Sequence, residues 1–237
     1  MSVRDMTAAD AGWAAGLMER RRQVYAGYSP VFWRPRPGVT GLHARLLGGQ
    51  AGSPGYVALR TGHGFLIGQR RGGEGEGFVD DFAVEETARW DGDGAALLRA
   101  AWHRWEPEGV EAVRVVTAHA DRDKCAMLAA LSFELAEQWW VRVLEPAPPA
   151  APAGPVTGTD FAGRLGAAPP VYDPGGPVLQ VSELAGDADL AGVEREAAGM
   201  GAVLLIVPAA PGSARAAIIG RRPGWTVASD WYLGRPG

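Results

Sequence analysis

Residues Asp80–Leu98 read DDFAVEETARWDGDGAALL. An apolar strand ending at Val84 meets a turn, Arg89-Trp90-Asp91-Gly92-Asp93-Gly94. That turn opens into a helix pattern with Leu97, Leu98, Ala101 and Trp102 at helical spacing. A strand, a glycine turn and a helix N-terminus together present backbone N–H groups and the positive end of a helix dipole, which suits an anion. Gly92 and Gly94 permit close approach and unusual backbone angles. Arg89 can cover a phosphate with its guanidinium. Asp91 and Asp93 can point to solvent, yet they weaken the local positive field. Alone, the pattern R-x-x-G-x-G is also what an ordinary capped helix start leaves behind.

Two common phosphate folds are excluded. A dinucleotide-binding turn needs an early parallel βαβ unit and an acid at the end of the next strand. Here the turn follows a hairpin, and the next strand, AVRVVTA, carries no acid. A P-loop needs Gly-Lys-Ser/Thr, which does not follow.

Outward from the turn, the chain alternates short strands and helices. Val3–Met6 reads as a strand, with Thr7 or Asp10 capping a helix marked by Ala14, Leu17, Met18, Arg21 and Val24. SPVFWRPRPG reads as a loop, and GLHARLLGG as a helix stopped by glycines. Tyr56–Leu59 and Phe65–Ile67 form a hairpin around Thr61-Gly62-His63-Gly64. GGEGEG is a flexible turn before the strand FVDDFAV. The strand AVRVVTA, the helix KCAMLAALSF and the strand EQWWVRVL follow the glycine turn and its helix.

EPAPPAAPAGPVTG then marks a semi-stiff linker. Beyond it the chain repeats itself. The stretch from Ala202, AVLLIVPAAPGSARAAIIGRRPGWTVASDWYLGRP, follows the pattern of the stretch from Ala112, with Trp231-Tyr232-Leu233 answering Trp139-Trp140-Val141. VLQVSEL stands where FVDDFAV stands, and nothing answers residues 1–60. The expected domains are therefore residues 1–145, a linker 146–157, and a half domain 158–237. A half sheet cannot cover its own faces and edges, so the half domain is expected to dock within the chain or in a homodimer.

Composition narrows the function classes. The 237 residues are 47% hydrophobic and 21% charged, enough for a packed core. The net charge of −4 gives no basic field for nucleic acid. Cys125 is the only cysteine, so no disulfide forms within the chain. The N-terminus lacks an apolar leader core and no run suits a membrane span, so a cytoplasmic protein is expected. The four histidines have no metal-ligand spacing, and G-x-S-x-G is absent.

The order strand, two helices, hairpin, strand, glycine turn, helix, strand, helix, strand resembles the GNAT superfamily of acyl-CoA-dependent N-acyltransferases. Val84, Arg89, Gly92 and Gly94 match its motif in register over roughly residues 2–145. SELAGDADLAGVE in the second half lacks the Arg and the glycine pair. The resemblance implies an α/β (α+β) fold with a mixed, mostly antiparallel sheet and helices on both faces. It implies acetyl transfer from acetyl-CoA to the amine of a small molecule. The main chain of Phe82, Ala83 and Val84 would pair with the pantetheine arm. The N–H groups of Trp90, Asp91, Gly92, Asp93, Gly94 and Ala95, with Arg89, would hold the pyrophosphate.

Asp80 and Asp81 stand where the resemblance places acids facing the amine. Because strand residues alternate, only one is expected to reach the cleft. It could serve as base, directly or through water, or hold a cationic substrate; both could equally be solvated strand-end acids. Tyr25, Tyr28, Phe32 and Trp33 fall in the lid position and could line an acceptor pocket, or simply staple a loop. One departure stands out: Leu128 replaces the tyrosine that usually protonates the leaving thiolate. Cys125 and His119 lie near it in sequence. An alternative reading follows, a catalytically inactive CoA-binding relative serving as sensor or scaffold.

Overall fold

The computed structural model describes residues 2–70, 75–147, 151–186 and 188–236. Residues 72–74 of the expected GGEGEG turn lie outside the described residues. The chain forms two compact units, and they are not consecutive halves. The first comprises Met1–Val24, Pro37–Ala136 and Trp231–Gly237; the second comprises Tyr25–Arg36 and Glu137–Asp230.

In the first unit, β1 (Arg4–Asp5), β2 (Tyr56–Arg60), β3 (Gly64–Arg70), β4 (Glu76–Val84) and β5 (Ala112–Ala118) lie side by side in that order. All pair antiparallel except β4 and β5, which are parallel. Helix α1 (Ala11–Tyr28) follows a tight turn in which Thr7 and Asp10, read from sequence as alternative caps, act together as a capping box. Helix α2 (Val39–Gln50) and α1 share a core with the strands, formed by Leu17, Met18, Leu47, Phe65, Ile67 and Ala83. Helices α3 (Ala95–Trp105) and α4 (Arg122–Ala130) share a second core with Leu66, Val79, Phe82, Val84 and Val115. Since Phe65 and Ile67 belong to one core and Leu66 to the other, the two helix pairs cover opposite faces of the sheet.

Within α1 the residues that mark its faces divide between core and solvent. Ala14, Leu17, Met18 and Arg21 are buried, but Val24 is 45% exposed. The last residues of the chain complete the first unit. Trp231 stacks on Phe78 at 5.7 Å, and Tyr232 joins the core under α3 and α4.

The second unit contains β6 (Glu134–Val143) from Glu137 onward, β7 (Gly154–Thr157), β8 (Phe161–Gly166), β9 (Val178–Leu184) and β10 (Leu204–Ala209). Their order is β6-β10-β9-β8-β7. Here β7 corrects the sequence expectation twice. The end of the Pro/Ala-rich stretch is a strand, not linker, and it answers β2 of the first unit, so the repeat is more than half a domain. Helices α5 (Leu190–Gly199) and α6 (Ala214–Gly220) contribute Leu190, Val193, Ala197 and Ile219 to a core with Phe161, Leu165, Leu179 and Val207. The final strand is β11 (Thr226–Gly234), and the part from Trp231 belongs to the first unit.

Both units carry the same irregularity. In β4, Ile67 faces Asp81 and Gly68 faces Val79, so Asp80 is the extra residue of a bulge. In β9, Ala162 faces Glu183 and Gly163 faces Val181, which makes Ser182 the extra residue. The register thus equates Asp80 with Ser182, two residues away from the match between FVDDFAV and VLQVSEL read from sequence. Glycine stands opposite both bulges for a steric reason. A Cβ on Gly68 would lie 2.6 Å from the Trp105 ring and 2.7 Å from Phe78 O; one on Gly163 would lie 2.4 Å from Gln180 O.

Among the described residues, no helix is long and apolar enough to cross a membrane.

Candidate functional site

The bulge at Asp80 opens the first sheet. Parallel pairing of β4 with β5 runs from Glu76/Ala112 to Val79/Val115 and ends there. Beyond it, the strands no longer pair with each other. The bulge also resets the alternation of side chains. Val79, Phe82 and Val84 all face the α3–α4 core, whereas Ala83 faces the α1–α2 core. Strict alternation therefore fails at this point, and it does not select one of the two acids. Asp81 points to α2, and Asp80 occupies the bulge beside it.

A buried chain of polar groups fixes Asp81. Arg22 Nη2 lies 2.9 Å from His43 Nδ1, and His43 Nε2 lies 3.1 Å from each carboxylate oxygen of Asp81. A guanidinium can only donate, so Nδ1 accepts and Nε2 carries the hydrogen that Asp81 receives. His43 is 3% exposed and Arg22 1%. Sequence reading left both aside. His43 sits inside GLHARLLGG with no motif around it, and only its position on the inner face of α2 could have marked it.

Asp80 has a different environment. Its side chain is exposed to solvent, yet the protein packed around it weakens its hydration. That loss, reinforced by the charge of Asp81, pushes its pKa up to about 6; Lys124 and Arg22 oppose the rise. A carboxyl group titrating there can exchange a proton near neutral pH.

The split between β4 and β5 is occupied by the chain itself. Arg21 of α1 forms an ion pair with Asp121, the N-cap of α4, and both are buried. These helices belong to opposite faces of the sheet, so the pair passes through the opening that the bulge creates. Lys124, the chain's only lysine, is 2% exposed. Its ammonium donates to Val116 O at 2.9 Å and lies 5.0 Å from the Phe82 ring and 5.3 Å from the Trp90 ring.

The glycine turn is helical throughout. A short turn at Thr87–Arg89 leads into one wide, π-type turn, Trp90–Gly94, which runs on into α3. Neither glycine takes a left-handed conformation. Gly94 is needed for packing, since a Cβ there would lie 2.6 Å from the Trp90 ring, while Gly92 faces open space. Asp91 is exposed as expected. Asp93 is not: it is 5% exposed and pairs with Arg89 at 3.4 Å. The N–H of Trp90 donates to Thr87 O and that of Ala95 to Trp90 O, so both ends of the expected cradle already bond within the chain.

The structure thus gathers Asp80, Asp81, Phe82, Ala83, Val84 and the turn Arg89–Ala95 into one unit. Tyr28, Phe32 and Trp33 belong to the second unit. There, Trp33 donates to Ala228 O at 3.0 Å, and Phe32 packs edge-on against Trp139 at 6.3 Å. Leu128 is wholly buried, and Cys125 packs against the same core.

No family model and no curated protein sequence matches the chain. Solved structures do. A protein from Thermoplasma acidophilum described as a candidate acetyltransferase aligns with a TM-score of 0.62 at 10% identity, over 99% of this chain and 100% of the other. A tandem GNAT protein from the clavulanic acid biosynthesis pathway aligns with a TM-score of 0.53 at 13% identity, over 100% and 98%. Likeness at such identities speaks for the fold, and it extends over both units of the chain. The protein therefore has the GNAT fold in its tandem arrangement.

Proposed function

We propose that the protein is an acetyl-CoA-dependent N-acetyltransferase acting on a small-molecule amine at the split in its first unit. The observation that carries this reading is Asp80, set on the bulge with a pKa near 6 beside an Asp81 held by His43. Two carboxylates attract an ammonium substrate, and Asp80 then takes its proton directly or through water. An alkylammonium with a pKa near ~10 is no nucleophile until this happens. The freed amine attacks the thioester carbonyl, the C–N bond forms, the nitrogen's second proton passes to water, and the C–S bond breaks. Leu128 offers no hydroxyl, so the thiolate leaves without a protein acid and takes its proton from water. The rest of the catalysis is positioning.

The donor's polar end fits the chain partly. The open face at Gly92 leaves room for a pyrophosphate, while Arg89 is diverted to Asp93 and both ends of the turn bond within the chain. The edge of β4 at Phe82–Val84 suits an amide-bearing arm. At the thioester end, Arg21 must leave Asp121 before an acyl group can enter. That closure favours a second reading, a CoA-binding protein without turnover. Calorimetric titration with acetyl-CoA tests both: binding that competes with free CoA is expected, and no heat or thermal shift at about 1 mM ligand would remove both readings.

A further inference from the structure

We propose that the second unit carries a binding cleft of its own, for a short peptide or peptide-like zwitterion held in extended form. A cavity of about 750 Å3 opens there, within the range of small-molecule sites. It lies where β9 and β10 part. Their parallel pairing ends at Gln180/Ile206, and the cavity is flanked by Val181 and Ser182 on one strand and Pro208 and Ala209 on the other. The same bulge that opens the first unit opens this one, at Ser182. The first opening is filled by Arg21, Asp121 and Lys124. Among the described residues, no ion pair joins β9 to β10 here. Arg164 and Gln180 lie opposite each other in the β8–β9 ladder, on the face turned away from the α5–α6 core.

The cleft does not suit the pyrophosphate of a CoA-type ligand. The N-cap of α5 is an acid, and two donors there are taken: Ala191 N–H bonds to the Asp189 carboxylate at 3.0 Å, and Asp189 N–H to that of Asp160 at 3.0 Å. What the walls do offer are ends of opposite charge. Arg164 is exposed and, among the described residues, pairs with no side chain, and Arg215 spends one N–H on Pro208 O. Either can receive a terminal carboxylate. Glu137 lines the same cavity, with one carboxylate oxygen held at 2.7 Å by the Trp139 indole, which orients the group to receive an ammonium. Between these ends, the parted edges of β9 and β10 present main-chain groups that an extended amide chain can pair with, as an added strand does.

Triglycine is the simplest probe, titrated into the full chain by calorimetry and followed by amide NMR shifts. Binding is expected, with shifts at Gln180–Ser182 and Pro208's neighbours. Arg164→Gln and Glu137→Gln should each weaken it about tenfold or more, the loss expected when a charged partner is removed. N-acetyl-triglycine should bind weakly and be indifferent to Glu137→Gln. Asp80→Asn should leave triglycine binding unchanged, which separates this cleft from the first-unit site and from the proposed transferase activity. Because Arg164 is exposed, its variant should melt like the parent. Absence of binding at about 10 mM triglycine, or binding indifferent to both second-unit variants, would overturn the proposal.

Discussion

Arg21 and Asp121 form a buried ion pair through the gap between β4 and β5, joining a helix on one face of the sheet to a helix on the other. The opening that the bulge creates is thereby latched by the protein's own charges. Removing one partner takes the opposite charge away from the other in a buried setting, a cost of about 3–5 kcal/mol. Arg21→Ala should therefore lower the melting temperature markedly. The double change Arg21→Met with Asp121→Leu removes both charges and should recover much of that loss. If the pair is also a latch, the double variant should bind acetyl-CoA more tightly than the parent. Equal affinity would mean that the pair only stabilises the fold.

The raised pKa of Asp80 has two measurable consequences. Turnover should fall on the acid side with an apparent pKa of about 6, as the base becomes protonated. In Asp80→Asn, that limb should vanish along with most activity. Stability should respond in the opposite sense. The folded state holds this proton up to about pH 6, whereas an unfolded Asp loses it near 3.8. Between these values the native state binds more protons, so the contribution of Asp80 to stability declines as pH rises from about 4 to about 6. Asp80→Asn should flatten that decline. The groups around it that set the shift are Asp81 on the same strand, His43 on α2, Lys124 on α4 and Arg22 on α1.

The contact of Arg22 Nη2 with His43 Nδ1 leaves Nε2 to present its hydrogen to Asp81. Nitrogen-15 NMR of the imidazole reports this directly. His43→Gln can keep a donor toward Asp81 and should lose less activity than His43→Leu, which leaves the carboxylate without its partner at a cost of about 1–3 kcal/mol. Equal effects from the two changes would indicate a packing role alone.

Truncation after residue 157 should prevent the first unit from folding properly. The cut removes Trp231, stacked on Phe78, and Tyr232, 9% exposed in the α3–α4 core. Losing large buried aromatics costs about 3–5 kcal/mol each, a large share of a domain's stability. A truncated chain that melts like the parent would show these contacts to be dispensable.

Much of this fold is legible in the sequence because local signals agree. Thr7 with Asp10, the hairpin around Thr61–Gly64, and the Val84-to-Gly94 register all lead to the observed elements. The bulge is not legible. Asp80 and Asp81 look equivalent along a strand, and only pairing across β3 reveals which is extra. For the same reason the two-residue offset between the repeats escapes a residue-by-residue match. Arg21 reads as part of an apolar stripe, and its partner Asp121 lies far along the chain. Nor does sequence assign residues 25–36 and 231–237 to their units, since that depends on packing between distant segments. His43 gains meaning only through Arg22 and Asp81, which come from two other elements.

The most direct test of the transferase reading is release of free thiol from acetyl-CoA, measured with the full chain across a panel of primary amines and polyamines. Amine-dependent release that far exceeds the amine-free rate, and that Asp80→Asn abolishes, is the predicted result. Tight acetyl-CoA binding with no amine-stimulated release across the panel would contradict it and leave a CoA-binding protein without turnover.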